Sequence, residues 1–269
     1  MSSIPPEDIE TQGHAGLLIG SQWSPPADPT WVAVIAHGYG EHVGRYQWVA
    51  ERLTADGAVV YAHDHIGHGR SEGERVLVDD FEGVVDDLHL LVQRAHEEHP
   101  DLPLVLIGHS MGGMIAARYT QRHPETLTAT VLSGPVLGSW EPTALAELDE
   151  IPPTPIDITT LSREPDVGRA YEADELVWHG DFKRPTLLAL RACLEAITRG
   201  GRLTVPTIWL HGADDQLVPI DRSDEGWAHI APDGAPSKRY PGARHEIFNE
   251  TNREEVLDDV LAFVHEHIG

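Results

Sequence analysis

Short apolar runs alternate with longer amphipathic stretches along most of this chain. Unbroken apolar runs of four to six residues, rich in β-branched side chains, are typical of strands buried on both faces of a parallel sheet. Five segments fit this pattern: Trp31 to Ala36, Ala58 to Ala62, Leu104 to Ile107, Ala129 to Leu132 and Thr207 to Leu210. Ser237 to Tyr240 is a weaker, more polar candidate. Gly16 to Trp23 is predicted to begin the sheet as an antiparallel hairpin or edge strand.

Helical periodicity separates these strand candidates. Between Phe81 and Ala95, apolar residues recur every three or four positions, with acidic residues between them. Near the C-terminus, Thr251 and Glu254 match a capping box, and an apolar stripe follows from Val256 to Val264. The alternation of strands and helices predicts an α/β fold, a mostly parallel, doubly wound sheet with helices on both faces.

One long interval interrupts this alternation. About 70 residues, from Gly134 to Thr204, lie between two consecutive strand candidates, far more than an ordinary connection needs. We interpret the interval as a lid inserted over the carboxyl edge of the sheet, where open α/β folds bind ligands. The predicted organisation is a first core segment at 1–137, the lid at 138–200 and a second core segment at 201–269. The alternative is a variable surface excursion.

The strongest chemical signal is the segment Gly108 to Gly112, with the sequence G-H-S-M-G. It follows a strand candidate and precedes a helical pattern from Met114 to Tyr119, which is the context of a nucleophilic serine on a sharp turn. Glycines relieve the crowding of such a turn, and the serine is held in a strained, exposed position. Ser110 is therefore the predicted nucleophile.

A serine nucleophile needs a histidine to take its proton. In this arrangement the order along the chain is serine, acid, histidine. His245 follows the last strand candidate in a loop and satisfies that order. The other late histidines precede the candidate acids or lie in helical stretches: His211, His229, His265 and His267. His245 is thus the predicted base by elimination.

The orienting acid is expected just after the strand candidate Thr207 to Leu210. Asp214 and Asp215 both lie there. Only one of them can accept the imidazole N–H, and residue chemistry alone does not separate them.

An oxyanion hole requires two backbone donors, one after the nucleophile and one from the loop after an earlier strand. Met111 is predicted to supply the first donor. The loop His37 to His42 follows the strand ending at Ala36, and the amide of Tyr39 is predicted to supply the second.

Charge and composition exclude several classes of protein. The 269 residues include 44 acidic and 19 basic side chains, a formal net charge of −25, which disfavours nucleic-acid binding. The single cysteine, Cys193, is typical of a reducing compartment and is expected to fill space on a helix. Met1 to Glu10 lacks the pattern of a secretory signal, and no apolar run is long enough to span a bilayer. A cytoplasmic location is predicted.

The segment His63 to His68 raises the question of a metal site, because it holds imidazoles and a carboxylate close together. It also lies at a strand end beside glycines, where Asp64 can organise a turn. No further ligand set is apparent, and serine catalysis needs no metal. We therefore predict no metal and no cofactor.

At these residues the sequence resembles the monoacylglycerol lipases of the α/β-hydrolase superfamily and the related serine-aminopeptidase-like hydrolases. The similar segments are His37 to Tyr46, Ala62 to Gly73, Gly108 to Gly113, Leu203 to Pro206, His211 to Asp215 and His245. The resemblance implies the α/β-hydrolase fold with a mobile, apolar lid, and it selects Asp215 as the acid.

The resemblance also implies a substrate site. It places Glu41 and Arg45 near the alcohol pocket, although a salt bridge that braces the oxyanion loop explains them equally well. His109 is assigned to substrate binding with them. Apolar lid residues are expected to line an acyl channel: Leu145, Leu148, Ile151, Ile156, Ile158, Leu187 and Leu188.

The implied activity is hydrolysis of monoacylglycerols to glycerol and fatty acid through an acyl-enzyme. Alternatives on the same scaffold are a lysophospholipase, a broad short-chain esterase and an aminopeptidase, and a further one is a small-molecule receptor without turnover. Because basic surface residues are few, at most transient contact of the lid with lipid is expected.

Overall fold

The computed structural model describes residues 5–269, which form one eight-stranded sheet with helices on both sides. The strands are β1 (Glu7–Gln12), β2 (Leu17–Trp23), β3 (Trp31–Ala36), β4 (Ala58–His63), β5 (Leu104–His109), β6 (Ala129–Ser133), β7 (Thr207–Gly212) and β8 (Ser237–Tyr240). Their order in the sheet is β1-β2-β4-β3-β5-β6-β7-β8. The pairs β1–β2 and β2–β4 are antiparallel, and all others are parallel. The first four residues of the predicted first core segment, which begin the polar stretch Met1 to Glu10, lie outside the described residues.

Seven α-helices surround this sheet within residues 5–269. They are α1 (Gln47–Ala55), α2 (Phe81–Glu98), α3 (Met111–Arg122), α4 (Pro165–Ala173), α5 (Arg184–Gly200), α6 (Ile220–Ile230) and α7 (Arg253–Ile268). Helices α1 and α7 contribute to the apolar core on one face, and α2, α3, α5 and α6 contribute to the core on the other. Measured over the same stretch of the chain, no helix has both the length and the hydropathy that crossing a membrane requires.

The central strands are buried on both faces, as the unbroken apolar runs predict. In β3, Val32, Val34 and Ala36 pack into the core with α2 and α3. The alternate residues Ala33 and Ile35 pack into the core with α1 and α7. This two-residue alternation between two cores follows from strand geometry, and it confirms the mostly parallel sheet covered by helices.

The N-terminal edge of the sheet differs from the expectation. The polar segment Glu7–Gln12 was not predicted as a strand, yet it pairs with β2 from Glu7↔Gln22 to Gln12↔Leu17. Only Ile9 in this strand is buried. An edge strand of this kind is held mainly by backbone hydrogen bonds, so apolar periodicity does not reveal it.

The expected capping box at Thr251 and Glu254 does not form. Helix α7 begins at Arg253 with Asn252 at the N-cap, and Asn252 Nδ2 donates to Glu255 at 3.1 Å. Thr251 instead donates its backbone N–H to the Glu250 carboxylate at 2.9 Å. Glu250 therefore accepts the Thr251 backbone N–H that Glu254 would accept in a capping box.

The long interval between β6 and β7 contains α4, α5 and two short 3₁₀ helices, Glu141–Glu147 and Ile158–Thr160. Helix α5 is not a loose cover, because Leu187, Leu190 and Ile197 are buried in the main core. The residues around α4 form a separate small apolar cluster of Leu161, Tyr171 and Val177.

Candidate active site

Ser110 lies at the turn between β5 and α3. Its backbone has φ 56° and ψ −119°, a conformation that residues with side chains rarely adopt and that costs on the order of 1–3 kcal/mol. A Cβ atom at Gly108 would overlap the carbonyl oxygen of Gly112, and a Cβ at Gly112 would overlap that of Ala36. The two glycines therefore permit the close approach of strand and helix that forces Ser110 into this position.

His245 and Asp215 reach Ser110 from two later loops. His245 Nε2 lies 2.9 Å from Ser110 Oγ, and His245 Nδ1 lies 2.7 Å from Asp215 Oδ2. The three side chains are buried or nearly so. Because an ionised carboxylate only accepts, Nδ1 carries the proton toward Asp215, and Nε2 is free to accept from the serine hydroxyl.

The charges of this pair stabilise each other. Burial alone would raise the pKa of Asp215, but the nearby His245 and the hydrogen bonds from His211 and His245 hold that pKa below its usual range. Burial alone would lower the pKa of His245, but the Asp215 carboxylate outweighs it and raises that pKa above 6.5. Asp215 therefore stays ionised and favours the protonated form of the imidazole.

The structure distinguishes the two candidate acids. Asp215 Oδ1 accepts the backbone N–H groups of Leu217 and Val218, each at 2.9 Å, so the carboxylate is fixed by its own loop. Asp214 is exposed, and its backbone N–H donates to Ala243 at 2.9 Å. Of the two, only Asp215 contacts His245.

His211, which sequence order sets aside as a base, lies beside the candidate acid Asp215. Trp209 Nε1 donates to His211 Nδ1 at 3.0 Å, so the proton of the neutral ring is on Nε2. That atom donates to the Val218 carbonyl at 2.9 Å and lies 3.1 Å from Asp215 Oδ2. His211 thus adds a second imidazole to the surroundings of Asp215.

The two residues predicted to supply oxyanion donors lie beside Ser110. Tyr39 and Met111 both line the cavity that contains the serine. Within residues 5–269, no protein acceptor takes the backbone N–H of either residue. The Tyr39 ring packs against Phe182 with centroids 5.1 Å apart. Burial raises the pKa of the Tyr39 phenol above its usual range.

Glu41 and Arg45 line the same cavity and also form an ion pair. Arg45 Nη1 donates to Glu41 at 2.6 Å, and the two Arg45 terminal nitrogens donate to the two Glu246 oxygens at 2.8 Å each. The Glu41 carboxylate in turn accepts from Tyr46 Oη and from the Gly38 amide, both at 2.6 Å. The structure therefore contains the salt bridge that was one of the two explanations for this pair.

His109 lies in the cavity wall next to Ser110. Its Nδ1 is 3.1 Å from both the carbonyl oxygen and the hydroxyl oxygen of Ser133, and its ring centroid is 4.9 Å from that of His245. Burial and the neighbouring His245 lower the pKa of His109 to about 4. A neutral ring is thus placed where a polar group of a ligand can meet it.

The cavity above Ser110 has a volume of about 640 Å³, within the range typical of small-molecule sites. Of the seven lid residues expected to line it, only Leu145 and Ile156 do so. Leu148 and Leu188 are exposed, Leu187 is buried in the core, Ile151 packs on that core, and Ile158 borders a second cavity. Helical periodicity does not tell which apolar face meets a cavity and which meets the core.

The apolar wall is instead built largely from residues that the sequence did not single out for this role. They are Val136, Trp140, Leu161, Phe182, Leu190, Leu217 and Val218. A second cavity of about 250 Å³ adjoins the first, and Tyr39, Phe182 and Tyr171 line both.

The histidines near Asp64 form a buried cluster. His63, His65 and His68 are at most 2% exposed, and burial lowers the pKa of His63 and of His68 to about 4. Asp64 accepts from the Val43 and Arg70 amides at 2.7 and 2.8 Å, so its carboxylate organises the turn. Among residues 5–269, no group of three or more potential ligands is arranged to hold a metal ion.

Glu246 is a site residue that the sequence interpretation missed. It follows His245 directly, but its partner Arg45 is 201 positions away. Tyr171 was missed for the same reason, since it comes from α4 and lies under the Arg45 guanidinium at 5.0 Å. An acidic residue beside the predicted base was the only local signal.

The loop that carries His245 and Glu246, here called the base loop, is hydrogen-bonded to the long interval between β6 and β7. The backbone N–H of Glu246 donates to the Leu161 carbonyl at 2.8 Å, and that of His245 to the Thr160 carbonyl at 3.4 Å. Arg244 Nη1 donates to the Ser162 carbonyl at 2.8 Å.

A mostly parallel sheet that carries a serine on a strained strand-to-helix turn, beside a histidine and an aspartate from later loops, defines an α/β-hydrolase. The family model described as serine aminopeptidase, S33, matches residues 27–252, and the chain belongs to this family of serine hydrolases.

Named relatives agree with this assignment. The chain is 40% identical to the monoacylglycerol lipase of Mycolicibacterium smegmatis over 262 residues, 93% of this chain and 94% of that protein. It is 33% identical to the monoglyceride lipase of Homo sapiens, over 92% of this chain and 86% of that protein. The structure of Paleococcus ferrophilus monoacylglycerol lipase matches with a TM-score of 0.81 and 26% identity, over 93% of this chain and 99% of that one. The resemblance seen in the sequence and the α/β-hydrolase fold are confirmed.

Proposed function

We propose that this enzyme hydrolyses monoacylglycerols to glycerol and a free fatty acid. The observation that carries the proposal is the continuous contact from Ser110 Oγ through His245 to Asp215, at 2.9 and 2.7 Å, on the wall of a largely apolar cavity. Relatives named as monoacylglycerol lipases, at 33–40% identity over most of the chain, support the substrate class.

Acylation begins when His245 Nε2 takes the Ser110 proton. Ser110 Oγ forms a bond to the ester carbonyl carbon, and the oxygen that becomes negative accepts from the Tyr39 and Met111 amides. Asp215 keeps the imidazole in the required tautomer and stabilises its positive charge. The bond to the glycerol oxygen then breaks, and His245 returns its proton to that oxygen as glycerol leaves.

Deacylation repeats these steps with water. His245 takes a proton from water, whose oxygen bonds to the acyl carbon, and the bond to Ser110 Oγ breaks as His245 reprotonates the serine. The products are the fatty acid and the restored enzyme.

The cavity walls are suited to a substrate with one acyl chain. Apolar side chains such as Trp140, Leu145 and Ile156 can cover a hydrocarbon chain, whereas Glu41, Arg45 and His109 offer polar groups near the serine. We place all three residues at the head-group end of the site, where His109 lines the wall and Glu41 and Arg45 are already paired with each other. Residues 138–200 are the proposed lid, because much of the apolar wall comes from them, and α5 anchors the C-terminal part of this segment in the main core.

Replacing the nucleophile tests the mechanism. The Ser110→Ala variant is expected to fold normally, to lose essentially all hydrolysis of a monoacylglycerol and a nitrophenyl ester, and to resist labelling by a fluorophosphonate. Near wild-type turnover by Ser110→Ala would refute the mechanism.

A substrate panel tests the head group. Rates on monoacylglycerol, diacylglycerol, lysophospholipid and aminoacyl substrates are measured side by side with matched acyl chains. A site for one chain should exclude diacylglycerol, so equal rates on the mono- and diacyl substrates would contradict that aspect of the proposal. Labelling of Ser110 without turnover of any ester would instead indicate a receptor.

We further propose a cytoplasmic enzyme that contacts lipid only transiently, through residues of the lid. The net charge of −25 repels anionic lipid, so we expect only weak attachment to such membranes. Sedimentation with anionic vesicles at low and high salt tests this, and strong, salt-sensitive binding would contradict it.

A further inference from the structure

Arg45 joins two loops that have different tasks in the proposed reaction. One loop carries Gly38, Tyr39 and Glu41, and the other carries His245 and Glu246. Arg45 donates to Glu41 at 2.6 Å and makes two bonds of 2.8 Å to Glu246. Side chains of all three residues are no more than 10% exposed.

Glu41 reaches the backbone of the first loop. One of its oxygens accepts from the Gly38 N–H at 2.6 Å, directly before the proposed donor Tyr39, and also from Tyr46 Oη at 2.6 Å. Its other oxygen accepts from Arg45. Both carboxylate oxygens therefore already accept hydrogen bonds from the protein, and they have little capacity left to accept from the hydroxyl groups of a ligand.

Glu246 is held in a similar way on the second loop. Asn249 Nδ2 donates to Glu246 Oε2 at 2.9 Å, which adds to the two bonds from Arg45. The paired bonds from a planar guanidinium fix direction as well as distance. A chain of short, buried hydrogen bonds thus runs from the Gly38 amide to the residue that follows His245.

We propose that Glu41, Arg45 and Glu246 are positioning residues that hold the oxyanion loop in register with the base loop, and that their main role is not to bind the substrate's hydroxyl groups. The inference rests on the proposed function, since it assumes that the Tyr39 amide and His245 act on one ester. A displacement of about 1 Å in such a site is enough to reduce the rate about 100-fold.

The network also sets the charge near His245. The anionic groups that act on this imidazole are Asp215, Glu246 and Glu41, and His109 is a neutral neighbour. Arg45 is the cation paired with both glutamates. Glu246 and Glu41 favour the protonated imidazole, so the loss of either negative charge should lower the pKa of His245. The acid limb of the kcat/KM profile should then move to lower pH.

Two substrates separate positioning from binding. Glu41→Gln and Glu246→Gln are assayed on a monoacylglycerol and on the nitrophenyl ester of the same fatty acid, which has no glycerol hydroxyls. We expect kcat to fall on the order of 100-fold for Glu41→Gln, by the same factor on both substrates and with little change in KM. The acid limb should shift downward for both variants.

Two further variants serve as controls. Tyr46→Phe removes only the hydroxyl that supports Glu41, and a smaller loss of kcat, again equal on both esters, is expected. Asp87→Asn changes another buried carboxylate that accepts a backbone N–H, that of His14 at 2.7 Å, away from the site, and normal kcat is expected. Melting temperatures of all variants show whether they fold.

A loss confined to the monoacylglycerol, seen as a raised KM with the nitrophenyl ester unaffected, would overturn the proposal in favour of direct head-group binding. Unchanged kcat in both Glu41→Gln and Tyr46→Phe, with an unchanged acid limb in Glu41→Gln, would overturn it as well. Failure of the wild-type enzyme to cleave monoacylglycerol would refute the proposed substrate instead, and the nitrophenyl ester would still test the positioning role.

Discussion

Asp215 Oδ2 lies 2.7 Å from His245 Nδ1, whereas the adjacent Asp214 side chain is exposed to solvent. Two neighbouring residues of the same type thus occupy different environments. The difference arises because the Leu217 and Val218 amides turn the Asp215 carboxylate inward and hold it there.

Neutralising these two aspartates should have different consequences. Asp215→Asn is expected to reduce kcat by about 10,000-fold, because an amide stabilises the wrong imidazole tautomer and cannot support its positive charge. Asp214→Asn is the matched control and should retain normal kcat. Steady-state hydrolysis of a nitrophenyl ester measures both, and similar losses in the two variants would count against the assignment of Asp215.

Activity should fall at low pH, and the midpoint of that fall should lie above the ordinary histidine pKa of 6.5. In the proposed mechanism only neutral His245 accepts the Ser110 proton, and Asp215 raises the pKa of His245 above 6.5. Lowering the pH protonates the imidazole and removes the base, so the acid limb of kcat/KM should have its midpoint above pH 6.5. A pH series with a substrate that does not itself titrate checks this, and a midpoint well below 6.5 would contradict it.

The buried histidines should make the fold sensitive to acid. Burial lowers the pKa of His63 to about 4, and within the described chain neither of its ring nitrogens has a hydrogen-bond partner. Between pH 6.5 and 4, His63 is protonated in the unfolded chain but remains neutral in the folded chain. The free energy of unfolding should therefore fall, as the pH is lowered, by about 1.4 kcal/mol per pH unit for this residue.

His63→Leu tests that contribution. The variant should lose the share of the pH dependence that His63 supplies and should not be less stable than the wild type near pH 5. Chemical denaturation at several pH values measures the slope, with His229→Leu on the exposed face of α6 as the control. A slope identical to that of the wild type would show that His63 does not titrate as inferred.

Tyr39 should influence which substrates fit. Its ring lies in the wall between cavities of about 640 and 250 Å³, while the proposed oxyanion donor is its backbone N–H. Tyr39→Ala keeps that amide and should join the two spaces, so kcat/KM for a bulky ester relative to a small one should rise about 10-fold. Trp178→Ala opens only the smaller cavity and should leave the ratio unchanged. An unchanged ratio in Tyr39→Ala would show that the ring does not limit the site.

The central sheet was predictable because its strands are apolar on both faces. Runs such as Trp31 to Ala36 leave few other structures open, and the observed β3 has those bounds. Strand β1 was not predictable in this way, since its residues are largely polar and its backbone partner supplies the stability. The same holds for the cap of α7, where competition from Glu250 for Thr251 is a tertiary detail.

Around Ser110, too, the residues marked by local motifs were predictable, and the contacts between distant parts of the chain were not. Ser110, His245 and the loop containing Tyr39 are marked by local motifs, and the structure brings them together. The contacts of Arg45 with Glu246 and Tyr171 join distant regions of the chain, so no local pattern could reveal them. The lining of the cavity was predicted poorly because residues of α5 such as Leu187 turn toward the core.

The hydrogen bonds from the base loop to residues 160–162 have a consequence for how this enzyme can diversify. A chimera that received the whole long interval from a relative would inherit new supports for the backbone of His245 and Glu246 along with a new cavity wall. Exchanging the whole interval would therefore change the cavity wall and the contacts of the His245 loop together. A transplant that leaves residues 160–162 in place would keep these hydrogen bonds while exchanging most of the cavity wall.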